Sequence, residues 1–164
     1  MNILLMMLRA PRPSRQNDMK AVAKPRWIKK GYDGLTFFGH IITHNEQDAE
    51  AFNACHTLTG RSKNDMHYFK NHEMIHLYQA RDCHNSWLLF YLRYGWYWLL
   101  ANRYRKHLRN AGYLLNPFEL EAYGQMYDLH YLDDKKSGTN EWRRYAMMSL
   151  QERLQVYLAR KRSA

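Results

Sequence analysis

The segment His72-Glu73-Met74-Ile75-His76 constrains this chain more than any other feature. Two histidines four residues apart share one face of a helix. Met66, Phe69, Ile75, Leu77 and Ala80 surround them with apolar side chains at helical spacing. The spacing therefore predicts a helix from Asn64 or Asp65 to about Asp82, with its polar triad turned towards the interior. Two imidazoles and a carboxylate in that setting need partners, and one metal ion satisfies both histidines. Glu73 then stands where it can take a proton from a water. This HExxH spacing is the one used for zinc-dependent hydrolysis, so one Zn2+ per chain is expected, with His72 and His76 as ligands and Glu73 as base.

A zinc site that acts on a substrate needs a third protein ligand. Asp82 is rotated about 240° from His76 if the helix continues, and points away. The better source is Asn116-Pro117-Phe118-Glu119-Leu120-Glu121-Ala122-Tyr123. Asn116 suits the N-cap and Pro117 the first helical position. Glu119 then falls where a capping box reaches back to the cap residue. Glu121 lies about 200° further round and has no capping role. Glu121 is thus the expected third ligand, with Glu119 as the alternative. Gln79, on the face of the two histidines, is an expected outer partner of the site.

The rest of the chain reads as mostly helical, α+β in class, with about four main helices. Leu35 to Thr43 (LTFFGHIIT) is the best strand, rich in aromatic and β-branched residues. An extended peptide or protein substrate would pair with it, bordered by Phe38, His40 and Ile42. Further helices are expected over Glu46 to Leu58, His84 to Leu108, Asn116 to Leu132 and Thr139 to Arg160. The 164 residues amount to one domain, assigned to residues 31–164. Residues 1–30 read as a basic, mobile arm, because only Asp18 offsets the Lys and Arg residues between Arg9 and Lys30. Ile3 to Leu8 is too short, and lacks the preceding charge, to read as a secretory signal.

Lys and Arg number 25 against 15 Asp and Glu, a net charge of +10 that favours anionic partners. Trp87 to Ala101 (WLLFYLRYGWYWLLA) is apolar on nearly every side but shorter than the about 20 residues that span a bilayer. A buried helix is expected, and contact of Trp87 to Arg109 with an anionic membrane surface is the alternative. Nucleic acid is the weaker option, since no RNA- or DNA-binding signature accompanies the basic residues. The cysteines number 2 and form no disulfide framework, which fits a reducing, cytoplasmic setting with peripheral membrane contact as an option.

These segments together resemble the gluzincin branch of the zincin-like metallopeptidases. They are most similar to a family of small bacterial HExxH proteins without a known substrate. The resemblance rests on Gly34 to Gly39, His72 to Gln79, Trp87 to Leu100, Phe118 to Tyr123 and Trp142 to Tyr145. It implies a minimal zincin-like fold with a small N-terminal sheet. It also implies His72, His76 and Glu121 as zinc ligands, Glu73 as base, and a peptidase activity. In thermolysin-like members an Asp one turn after the ligand Glu orients a zinc-bound His. Gln125 stands at that place here, with Asp128 as a substitute. Tyr127, His130, Arg143 and Arg144 are the candidates to stabilise an oxyanion. The alternative function is a non-catalytic binding protein on the same scaffold.

Overall fold

The computed structural model describes residues 20–24, 26, 34–55, 65–135 and 138–163. Three short strands, β1 (Ala21–Ala23), β2 (Gly34–Phe37) and β3 (His40–Thr43), form a sheet in the order β1-β3-β2. The helices are α1 (Glu46–Ala54), α2 (Asp65–Asp82), α3 (Trp87–Ala101), α4 (Ala111–Leu114), α5 (Pro117–Gln125), α6 (Trp142–Met147) and α7 (Leu150–Ser163). The chain is therefore mostly helical with one small sheet, as expected.

The run Leu35 to Thr43 is not one strand. Phe38 and Gly39 take φ values of 47° and 81°, and β2 turns back on β3 through these two residues. Positive φ at both central positions is what a two-residue hairpin with native twist requires. Residues 21–23, assigned by sequence to the mobile arm, pair in parallel with β3. Ala21 is buried, and Asn53 of α1 both donates to its carbonyl and accepts from its N–H. Residues 1–19, assigned to the same arm, lie outside the described residues.

Helix boundaries depart from the periodicity where local hydrogen bonds intervene. The expected helix Thr139 to Arg160 breaks after Met147. There Ser149 Oγ accepts from Glu152 N at 3.2 Å and Glu152 Oε2 accepts from Ser149 N at 2.7 Å. That reciprocal pair is a capping box, and it starts α7 afresh. The aromatic helix ends at Ala101 and tightens into a 3₁₀ turn over Asn102–Tyr104.

Helix α2 lies antiparallel to α5 and is fastened to it at both ends. Asn71 Nδ2 donates to the carbonyls of Gln125, Met126 and Asp128 beyond the C-terminus of α5. Gln79 Nε2 donates to the Phe118 carbonyl near its N-terminus. The core fills the space between α2, α3, α5 and α6. Phe118 packs tilted against Phe90 and Trp142 with ring centroids 4.9 and 4.5 Å apart, beside buried Ile75, Leu77 and Trp87. Each such side chain contributes about 1.5–3 kcal/mol on leaving water. Gly138 (φ +112°) carries the α5–α6 connection past the end of α2. A Cβ there would lie 2.6 Å from the Tyr78 carbonyl oxygen.

Candidate metal centre

Helix α2 presents His72, Glu73 and His76, all buried. The two imidazole Nε2 atoms are 3.2 Å apart. Helix α5 brings a carboxylate to them, and it belongs to Glu119. Its Oε2 lies 3.5 Å from His72 Nε2 and its Oε1 lies 3.5 Å from His76 Nε2. His72, His76 and Glu119 form a buried group whose ligand atoms lie within 4.8 Å of one another.

Glu121 is thus not the residue that meets the histidines, and the capping argument fails for a definable reason. A capping box requires the N–H of Asn116 to be available to Glu119. That N–H instead donates to the Tyr113 carbonyl in the turn that closes α4. Asn116 still caps α5, accepting from Phe118 N, while its Nδ2 donates to the Tyr94 carbonyl. Glu119 is left free of capping duty and faces α2. Glu121, about 200° further round α5, accepts from Tyr131 Oη at 2.7 Å, from Trp142 N at 3.2 Å and from Gln79 Nε2, further along α2 than the histidines, at 2.8 Å.

Gln79 links Glu121 to His76. Its Nε2 is committed as donor to the Phe118 carbonyl and to Glu121, so Oε1 must face His76 Nδ1 at 2.8 Å as acceptor. His76 then carries its proton on Nδ1 and keeps the Nε2 lone pair for the cluster. Of the expected outer partners only Gln79 reaches the histidines. Gln125 donates to Glu141, and the Asp128 carboxylate accepts from the His130 backbone.

Burial alone would raise the Glu119 carboxyl. The electrostatic and hydrogen-bonding influence of the neighbouring His76 and His72 rings and the Tyr94 hydroxyl outweighs it and holds Glu119 below the usual carboxylate range. Burial pushes the Glu121 carboxyl up, only partly offset by its donors. Tyr94 Oη donates to Glu119 Oε1 at 2.7 Å. The other oxygen, Glu119 Oε2, is buried without a hydrogen bond. Such an atom costs free energy unless a cation or donor meets it. Ligand atoms around a tetrahedral zinc ion at about 2.0–2.1 Å stand about 3.3 Å apart. The 3.2 Å between the two imidazoles and the 3.5 Å from Glu119 Oε2 to His72 match that spacing, and one donor atom from each of the three residues lies within 4.8 Å of the others.

Glu73 Oε2 accepts a hydrogen bond from Thr36 Oγ1 of β2. Thr36 carried no sequence signal, because a single Thr in a short strand is ordinary. Residues His40 and Ile42, expected on a substrate edge, lie instead on β3, the central strand with both edges paired. Phe38 occupies the turn. Even on the edge strand β2, the Tyr91 hydroxyl donates to the Thr36 carbonyl and accepts from Phe38 N, both at 3.0 Å. An added strand would have to displace Tyr91 there.

Among the expected oxyanion candidates, Arg143 is paired with Asp82, His130 with Asp133, and Tyr127 packs on Tyr68. Tyrosines from other elements stand at the cluster instead. The Tyr123 ring lies edge-on to His72 with centroids 4.5 Å apart, and its hydroxyl is 2.9 Å from that of Tyr113. Burial and the Glu119 charge push the Tyr113 hydroxyl up, keeping it protonated. Tyr123 sits one turn after Glu119, a relation visible in the sequence only once Glu119 is chosen.

Comparison with known proteins returns no match: no family model, no curated protein and no solved structure corresponds to this chain.

Proposed function

We propose that the chain is a zinc-dependent metallopeptidase of the zincin type, with His72, His76 and Glu119 as the protein ligands. The observation that carries this reading is the buried His72–His76–Glu119 group, with Glu73 on the same helix as both histidines. Two imidazoles and one carboxylate match the donor set of hydrolytic zinc sites, which keep a fourth position open. When bound, the metal supplies Lewis acidity and lowers the pKa of water.

The remaining steps belong to the chain itself. Glu73, held by Thr36, takes a proton from the attacking water and returns it to the leaving amine. Gln79 keeps His76 in the tautomer that leaves Nε2 unprotonated. Tyr123, at the exposed rim and braced by Tyr113, donates to the oxygen that gains charge on the substrate.

The test is a peptide-library assay of zinc-loaded protein beside Glu73→Gln. The variant keeps side-chain size but cannot accept the proton, so it should retain zinc and lose hydrolysis by at least about two orders of magnitude. Cleavage by Glu73→Gln at the wild-type rate would refute the mechanism. A zinc-loaded wild type that cleaves nothing would favour a binding protein on the same scaffold.

A further inference from the structure

Helix α3 has two faces with different chemistry. One packs inward through Trp87, Phe90 and Ala101, and sends Tyr94 to Glu119. The opposite face carries a stripe of large apolar residues. Leu88 is 46% exposed, Leu92 60%, Trp96 60% and Leu99 59%. At about 100° per residue these four span only about 80° of the helix, with Leu89 and Trp98 flanking them. Gly95 lies at the edge of the stripe, about 20° from Leu88, and has nothing within 4 Å of its Cβ position. No charged side chain interrupts it, since Arg93 turns away over the Trp142 ring.

A face of this kind is costly to leave in water and marks a contact surface. The segment beyond the helix end points to the partner. Arg103, Arg105, Lys106 and Arg109 are all exposed there. The sequence has no Asp or Glu anywhere from Trp87 to Leu115. No helix among the described residues is long and apolar enough to cross a membrane, and α3 measures only about 22 Å. An apolar stripe with tryptophan, too short to span and flanked by a purely basic segment, suits the headgroup boundary of an anionic bilayer.

We propose that α3 and the Asn102–Asn110 segment dock the protein peripherally on an anionic lipid surface. Leu88, Leu92, Trp96 and Leu99 enter the headgroup boundary, and the four basic side chains meet lipid phosphates. The stripe lies on the side of α3 opposite Tyr94, so docking leaves the His72–His76–Glu119 cluster on the protein side. The proposal does not depend on the cluster being catalytic.

The experiment is flotation of the full chain with vesicles of phosphatidylcholine and phosphatidylglycerol in equal parts, and with phosphatidylcholine alone. Tryptophan emission is read in parallel. Wild type should float with the anionic vesicles at least about tenfold more strongly and shift its emission to the blue. Leu92→Glu with Trp96→Glu should abolish flotation. Reversal of Arg103, Arg105, Lys106 and Arg109 to Glu should reduce it at least about tenfold. Thermal melts verify folding, and Leu92→Ser serves as a milder variant should the double change unfold. Failure to float with anionic vesicles, or flotation indifferent to both sets of changes, would overturn the proposal. So would a wild-type dimer that Leu92→Ser dissociates, since the stripe would then be covered by a second copy of the chain. Tighter binding to single-stranded RNA than to the vesicles would overturn it as well.

Discussion

On one side of α5 the Glu119 carboxylate meets two imidazoles and a tyrosine hydroxyl, and one of its oxygens stays without a hydrogen bond. On the other side, two residues along, the Glu121 carboxylate is saturated by Gln79, Tyr131 and the Trp142 backbone. Residue type and burial are alike, yet the roles differ. A carboxylate whose acceptors are filled by fixed donors ties elements together. A carboxylate left short of donors beside two imidazole nitrogens is suited to a cation. The two sides are also connected: Glu121 holds Gln79, and Gln79 holds His76. Glu121 therefore acts on the cluster at one remove.

The largest expected effect comes from Glu119→Ala, which removes a ligand. Zinc affinity measured by competition with a chromophoric chelator should fall well beyond the about 10- to 100-fold typical of an outer partner. Glu119→Ala with unchanged affinity would break the comparison at its first term. Next is Glu121→Ala, which strands three donors in the core. Each orphaned buried group costs about 1–3 kcal/mol, so urea unfolding should show a loss of about 3 kcal/mol or more. An unaltered midpoint would mean that the Glu121 network holds nothing together.

The HExxH helix was legible because burial and the i, i+4 spacing of His72 and His76 leave few alternatives. The choice between Glu119 and Glu121 was not legible. It turned on the Asn116 N–H, which a carbonyl of the short helix Ala111–Leu114 occupies, and nothing in those four residues announces a helix. The hairpin was hidden because Phe38-Gly39 reads as a continuing strand until both residues take positive φ. Ser149 and Glu152 did carry the capping-box signal that splits the last helix, but an apolar stripe running through them masked it. β1 was obscured by Lys20 and Lys24, which make Ala21–Ala23 read as part of a charged tail. Tyr94, Tyr113 and Tyr123 reach the cluster from three separate helices, and no local pattern in sequence predicts such convergence.

A smaller effect belongs to the link itself. Gln79→Ala leaves all three ligands in place but frees the His76 ring, so zinc affinity should drop about 10- to 100-fold. Stability of the metal-free protein should fall less than in Glu121→Ala, because Glu121 keeps Tyr131 and Trp142. Affinity unchanged by Gln79→Ala would show that the packing of His76 alone sets its orientation.

The most direct measurement is the metal content of wild type, Glu119→Gln and Glu121→Gln, purified side by side without chelator and read by elemental analysis. Glutamine keeps the size of each side chain. At position 121 its amide oxygen replaces the acceptor for Gln79 and Trp142, and its NH2 donates to the Tyr131 hydroxyl. At position 119 it removes the negative charge that two imidazoles and a metal share. The expected result is about one zinc per chain in wild type and in Glu121→Gln, and far less in Glu119→Gln. A wild type without metal, or zinc kept by Glu119→Gln and lost from Glu121→Gln, would contradict the assignment.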